Sequence, residues 1–184
     1  MAAPGRPATE DAPPASSAEI PRAASEEAAA ALAAEGVNAG VVRLPQVHDT
    51  RRQGLITYAV AVAREKGVSA YVGDGGARWA AAHVLDTARL YRLALERAEP
   101  GATYHAVAEE GVAMRAIAEA IGRRLALPVA SIAPEQAADH FGWFGMFVGR
   151  DGAATSLLTR ARLGWRPTGP GLIADLEQME VANV

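Results

Sequence analysis

A chain of 184 residues, half of them hydrophobic, carries enough apolar material for one modest domain and not comfortably for two. Its 18 Lys and Arg against 21 Asp and Glu leave a formal net charge of -3, which offers no broad basic face to a nucleic-acid backbone. No cysteine is present, which excludes a disulfide framework, a thiol nucleophile and a thiolate zinc site; with neither a signal-peptide core nor an apolar run of about 18 residues, the chain is expected to be cytoplasmic, without a membrane partner.

Residues 1–20 are crowded with Ala, Pro and Ser, show no periodicity, and are expected to form a flexible arm or surface loop. Pro21 opens and Gly36 closes a predicted helix over Ala23–Glu35. The β-branched Val37, Val41 and Val42 predict a strand reaching Leu44 and ended by Pro45, and Leu55–Lys66 predicts a helix stopped by Gly67. Ser69–Val72 follows as a short strand, Gly73-Asp74-Gly75-Gly76 as a tight turn, and Asp86 is placed to cap a helix through Leu90, Leu93 and Leu95 to about Ala98. Thr103–Val107 predicts a third strand. Met114, Ile117, Ala118 and Ile121 then fall at helical spacing, and Val129–Ile132 is a candidate fourth strand. Pro134 opens another helix, Phe141–Val148 is apolar and Gly-punctuated, and short helices are expected over Ser156–Leu163 and Gly171–Met179.

Strands alternating with helices predict an α/β class with parallel pairing. The chain contains no G-x-G-x-x-G or G-x-x-G-x-x-G after an amino-terminal strand and no G-x-x-x-x-G-K-[ST], so it carries no phosphate cradle of those kinds. Gly73-Asp74-Gly75-Gly76 lacks their spacing and the following Lys.

Four segments, taken in order, carry a resemblance. They are Val41-Val42-Arg43-Leu44-Pro45; Gly73-Asp74-Gly75 with His83-Val84-Leu85-Asp86; Tyr104-His105-Ala106-Val107 with the helix from Met114; and Leu163-Gly164-Trp165-Arg166-Pro167. Together they resemble the later half of the extended short-chain dehydrogenases/reductases, the family of nucleotide-sugar epimerases, dehydratases and their atypical relatives. Thr9-Glu10-Asp11-Ala12-Pro13 is similar to the loop that follows the active-site Ser strand in that family. The resemblance implies the C-terminal part of a Rossmann-like doubly wound parallel sheet with a small substrate-capping lobe over residues 21–184. It also implies NAD or NADP as cofactor, a small-molecule substrate, and Pro45, Gln46 and Val47 beside the nicotinamide. The family's Tyr-x-x-x-Lys pair falls on Arg22 and Glu26, both expected at the surface, so no catalytic residue is assigned.

Three residues are substrate-side candidates. His48 follows Pro45 and could hydrogen-bond a substrate oxygen or move a proton near neutral pH, or stand as a loop histidine. His83 begins the motif that faces the cleft in the family, and is equally placed to cap or hydrogen-bond the nearby Gly turn. Trp79, beside Arg78, could stack on a ligand ring. His105 and His140 are expected to pack, and the histidine spacing suggests no metal site. Trp143, Phe144, Met146 and Phe147 are either a small core for the capping lobe or a pocket for an apolar, weakly anionic substrate. Three functions follow: an NAD(P)-dependent oxidoreductase or epimerase needing a further half for turnover; a non-catalytic NAD(P)-sensing or interaction module; and a fragment covered by a partner or by homo-oligomer formation.

Overall fold

The computed structural model describes residues 5–14, 16–18 and 20–181. Eight α-helices and seven strands alternate through them, short 3-10 turns aside. The amino-terminal helix α1 (Ala24–Ala34) leads to strands β1 (Val41–Arg43) and β2 (Gln46–His48), then to helix α2 (Ile56–Lys66). β3 (Ser69–Val72) and β4 (Arg78–His83) precede α3 (Val84–Arg97); β5 (Thr103–His105) and β6 (Glu109–Ala113) precede α4 (Met114–Leu125). The last third holds β7 (Val129–Ile132) and helices α5 (Ala137–Phe141), α6 (Gly145–Val148), α7 (Leu157–Leu163) and α8 (Leu172–Glu177).

The pairing is mostly parallel, as the alternation predicts: β1 with β5, β2 with β4 and β3 with β7, while β6 runs antiparallel to β4. This is a Rossmann-like α/β arrangement. Parallel neighbours need a crossover, and helices supply it between each pair. One apolar cluster lies between α2, α4, α8 and the sheet pieces, built on Ile56, Trp79, Ile117, Ile121, Phe144 and Leu176. A second joins Leu90 of α3 to Tyr104 of β5 and to Trp165, whose indole N–H donates to the Asp86 carbonyl at 3.0 Å.

Several expectations change in three dimensions. The predicted strand from Val37 begins only at Val41, and β2, β4 and β6 are additional to the predicted set. β4 carries the Ala80-Ala81-Ala82 run, whose buried, small-residue character gives no alternation to detect. Because β4 runs straight into α3, the cap is His83, whose Nδ1 accepts from the Leu85 N–H at 3.3 Å; Asp86 lies inside the first turn instead. The arm is docked in part: Ala8 exchanges backbone hydrogen bonds with Ala153 and Thr155, and Glu10, only 5 % exposed, accepts from the Thr159 N–H and hydroxyl at 2.8 Å. In the apolar stretch Phe141, Phe144 and Val148 are core, while Trp143 and Met146 face solvent.

Helices α3 and α4 both end on an alanine in the left-handed conformation, Ala98 at φ 50° and Ala126 at φ 55°. A Cβ there costs about 1 kcal/mol that glycine avoids. Ala98→Gly and Ala126→Gly are each expected to raise stability by about 0.5–1 kcal/mol in urea unfolding, with no change in slope.

Candidate functional site

Arg43 closes β1, and its guanidinium gathers three other parts of the chain. Nε donates to the Glu26 carboxylate of α1 at 3.1 and 3.2 Å, Nη2 donates to it at 2.5 Å, and Nη1 donates to the Ala12 carbonyl at 3.1 Å. Nη1 also lies 3.4 Å from Nε2 of His105, the last residue of β5 and the register partner of Arg43. His105 Nδ1 is 2.8 Å from the Thr155 carbonyl. A carbonyl only accepts, so Nδ1 carries the proton and Nε2 meets the guanidinium as an acceptor. Burial, above all, holds this ring below the ordinary histidine value; the Arg43 charge works in the same direction, against the Thr155 bond and the Glu10 charge.

Glu26, Arg43 and His105 form one end of a cleft of about 270 Å³ otherwise walled by small apolar groups, among them Ala8, Pro13, Ala80 and Val107. Leu44, Pro45, Ala80 and Gly152 also border an adjoining cleft of about 240 Å³, which reaches Gln46, Trp79 and Arg150. Pro45, Gln46 and Trp79 are therefore brought together. Gln46 uses its side-chain carbonyl to accept from the Leu55 N–H at 2.9 Å and so positions the start of α2. Trp79 forms a fixed wall, its indole N–H donating to the Arg150 carbonyl at 3.1 Å and its ring edge-on to Phe144.

Val47, His48 and His83 line neither cleft. Parallel register sets His48 of β2 beside His83 of β4, and α8 delivers a carboxylate to both. His48 Nδ1 is 2.7 Å from Asp175 Oδ2, with the imidazole fully buried, and His83 Nε2 lies 3.9 Å from the same oxygen. His48 Nε2 is buried without a hydrogen-bond partner, 4.0 Å from Glu109 Oε2. Packing against α8 makes His48 an interior ring, whereas His83 keeps a partly exposed side chain. Asp86 is a second buried carboxylate, accepting from the Thr168 and Gly169 N–H groups and from Arg89. Among the described residues no group of three or more His, Cys, Asp or Glu side chains could hold a metal ion, and no helix is long and apolar enough to cross a membrane.

Glu26, expected at the surface, is instead half of the ion pair in the cleft. His105 also belongs to this site, although it stood in a strand pattern suggesting packing. The signals for it were Arg43 at the end of a predicted strand, Pro45 beside it, and the family resemblance that aligns Glu26 with one of the paired catalytic positions.

No family model matches the chain. It is 44% identical over 158 residues to the uncharacterized protein C2A9.02 of Schizosaccharomyces pombe, covering 85% of this chain and 54% of that protein. It is also 44% identical to the uncharacterized protein YLL056C of Saccharomyces cerevisiae, again over 85% of this chain and 53% of that protein. The chain thus spans about half the length of the curated relatives it matches. Among solved structures, dTDP-glucose 4,6-dehydratase DesIV from Streptomyces venezuelae with NAD and TYD bound superposes with a TM-score of 0.70 at 20% identity, over 95% of this chain and 54% of that one. The NAD complex of UDP-glucose 4-epimerase from Thermus thermophilus gives 0.71 at 19% identity, over 99% and 60%. These likenesses establish the Rossmann-like fold.

Asp175→Ala strips the buried His48 ring of its partner and is expected to cost about 2–4 kcal/mol in chemical unfolding; an unchanged midpoint would show that the contact contributes nothing. For His105 the linkage sign follows from its depressed value: the unfolded chain binds more protons, so stability is fully present above about pH 6.5 and falls as pH drops toward the folded value. Urea midpoints measured at about pH 7.5 and about pH 5.5 should separate more for the parent chain than for His105→Asn.

Proposed function

We propose that this chain is the substrate-side half of an NAD(P)-dependent oxidoreductase or epimerase of the short-chain dehydrogenase type, spanning residues 21–184. The observation that carries the proposal is the pair of clefts meeting at Leu44 and Pro45, with an ion pair and a neutral imidazole at one end and Trp79 at the other. That several solved proteins of the same fold hold NAD supports it.

On this view the apolar surface of Leu44, Pro45 and Ala80 borders the nicotinamide ring, with Gln46 beside it and Val47 behind in β2. The dinucleotide, when bound, supplies or accepts a hydride. Its phosphates would be held by a segment outside these 184 residues. Support for that comes from the face beside the site: among the described residues β1 pairs with β5 alone and α1 buries no side chain, and a groove of about 700 Å³ runs along β1 past Arg22, Tyr91 and Leu95. His48, from the interior, and the partly exposed His83 contribute by holding the strands that carry Gln46 and Trp79 against α8.

This chain's own groups limit the chemistry. Glu26 can accept a hydrogen bond from a substrate hydroxyl or take its proton, and the guanidinium beside it holds that carboxylate in place. Neither replaces a phenol as a proton donor. Glu26 being tied to Arg43 favours a second reading, a module that binds NAD(P) or a protein partner without turnover.

Calorimetric titration with NADH and NADPH tests the proposal, using the chain alone and the chain mixed with the remaining part of YLL056C. The chain alone is expected to bind more weakly than about 100 μM, about 5.5 kcal/mol, and the mixture more tightly. Tight binding by the chain alone would overturn the placement of the phosphates outside it; no binding by the folded mixture would overturn the cofactor assignment.

A further inference from the structure

The cleft that ends on Glu26, Arg43 and His105 is charge-balanced, and this sets what it can take. Of the five N–H donors on Arg43, Nε and one on Nη2 meet Glu26, while Nη1 meets the Ala12 carbonyl and the His105 ring. The positive charge is therefore already answered by a carboxylate within the same end of the cleft. The His105 ring is held neutral by its burial, so it adds no cation near pH 7. The other walls, among them Ala8, Pro13, Pro45, Ala80 and Val107, offer no side-chain donor to an anion. A carboxylate or phosphate entering here would meet Glu26 and lose its hydration without gaining a free cation, a cost that a neutral oxygen avoids. The volume of about 270 Å³ lies at the small end of ligand sites.

We propose that this cleft selects a small, uncharged, largely apolar molecule bearing one carbonyl or hydroxyl oxygen, which turns that oxygen to the Glu26–Arg43 pair. A hydroxyl donates to a Glu26 oxygen, and a carbonyl accepts from the remaining Nη2 proton of Arg43. Glu26 is the specificity-determining residue, because it cancels the guanidinium that would otherwise attract anions. The inference deepens the proposed function by naming a substrate class for the same cleft, and it rests on that proposal only in calling the occupant a substrate.

Saturation-transfer NMR on the 184-residue chain tests it without any cofactor, using cyclohexanol and cyclohexanone as neutral probes and cyclohexanecarboxylate as the anionic one. The neutral probes are expected to bind in the millimolar range and the carboxylate at least about tenfold more weakly, a difference of about 1.4 kcal/mol. Glu26→Gln, which leaves Arg43 uncompensated, is expected to reverse that order. Ala154→Leu, which fills the cleft from its wall, is expected to abolish binding of all three while circular dichroism stays unchanged, and it locates the site even where Glu26→Gln fails to fold. Carboxylate binding as tight as that of the neutral probes, an unchanged order in folded Glu26→Gln, binding that survives Ala154→Leu, or no binding by any probe would each overturn the inference. Cofactor binding plays no part in these readouts, so failure here and failure of the NAD(P) assignment are seen separately.

Discussion

Arg43 is the residue on which the arrangement of the candidate site depends. A guanidinium at the end of a three-residue strand has enough donors to reach α1, the amino-terminal segment and β5 at once, and it does so through Glu26, Ala12 and His105. None of these partners is near another in sequence. Half-buried charge is tolerable only when paired and hydrogen-bonded, so satisfying Arg43 obliges α1 and the arm to close over the cleft at one place. The site is in this sense a consequence of a single desolvated cation.

Away from the cleft, the same accounting organises the interior. Asp175 and Asp86 are nearly inaccessible carboxylates, and each is answered: Asp175 by His48, with His83 close by, and Asp86 by two backbone N–H groups and Arg89. The segment 168–175 contributes to both. It places the Thr168 and Gly169 amides on Asp86, the Leu172 amide on Glu109 and the Asp175 carboxylate on His48. A Cβ at Gly169 would approach His83 at 2.7 Å and one at Gly171 would approach Glu109 at 2.9 Å, so small residues are what allow this segment to lie so close. The wall of the clefts formed by Gln46 and Trp79 is held from behind by these contacts, because His48 and His83 lie on the same two strands.

Local signals read correctly at several periodic or glycine-punctuated places. The helices ending at Gly67 and Gly164, the turn at Gly73-Asp74-Gly75-Gly76, and the Met114 face of α4 follow from spacing and from glycine's freedom at positive φ. β2 and β4 were not legible. Three residues between prolines and turns, and a run of buried alanines, produce no alternation, and both strands exist because they find each other in parallel register. The docked arm shows the same limit: Glu10 lies in a segment whose composition alone implies disorder, and its place comes from Thr159 far along the chain.

Local residue patterns set the α/β class, most helix ends and the Arg-Leu-Pro corner at the site. These rest on interactions within a few residues of one another. Which histidine faces the cleft, that Glu26 neutralises Arg43, and that His48 turns inward to Asp175 depend on how distant segments pack together. Such pairings join residues 17, 62 and 127 positions apart, and burial, which sets their chemistry, belongs to no residue until the chain has closed around it.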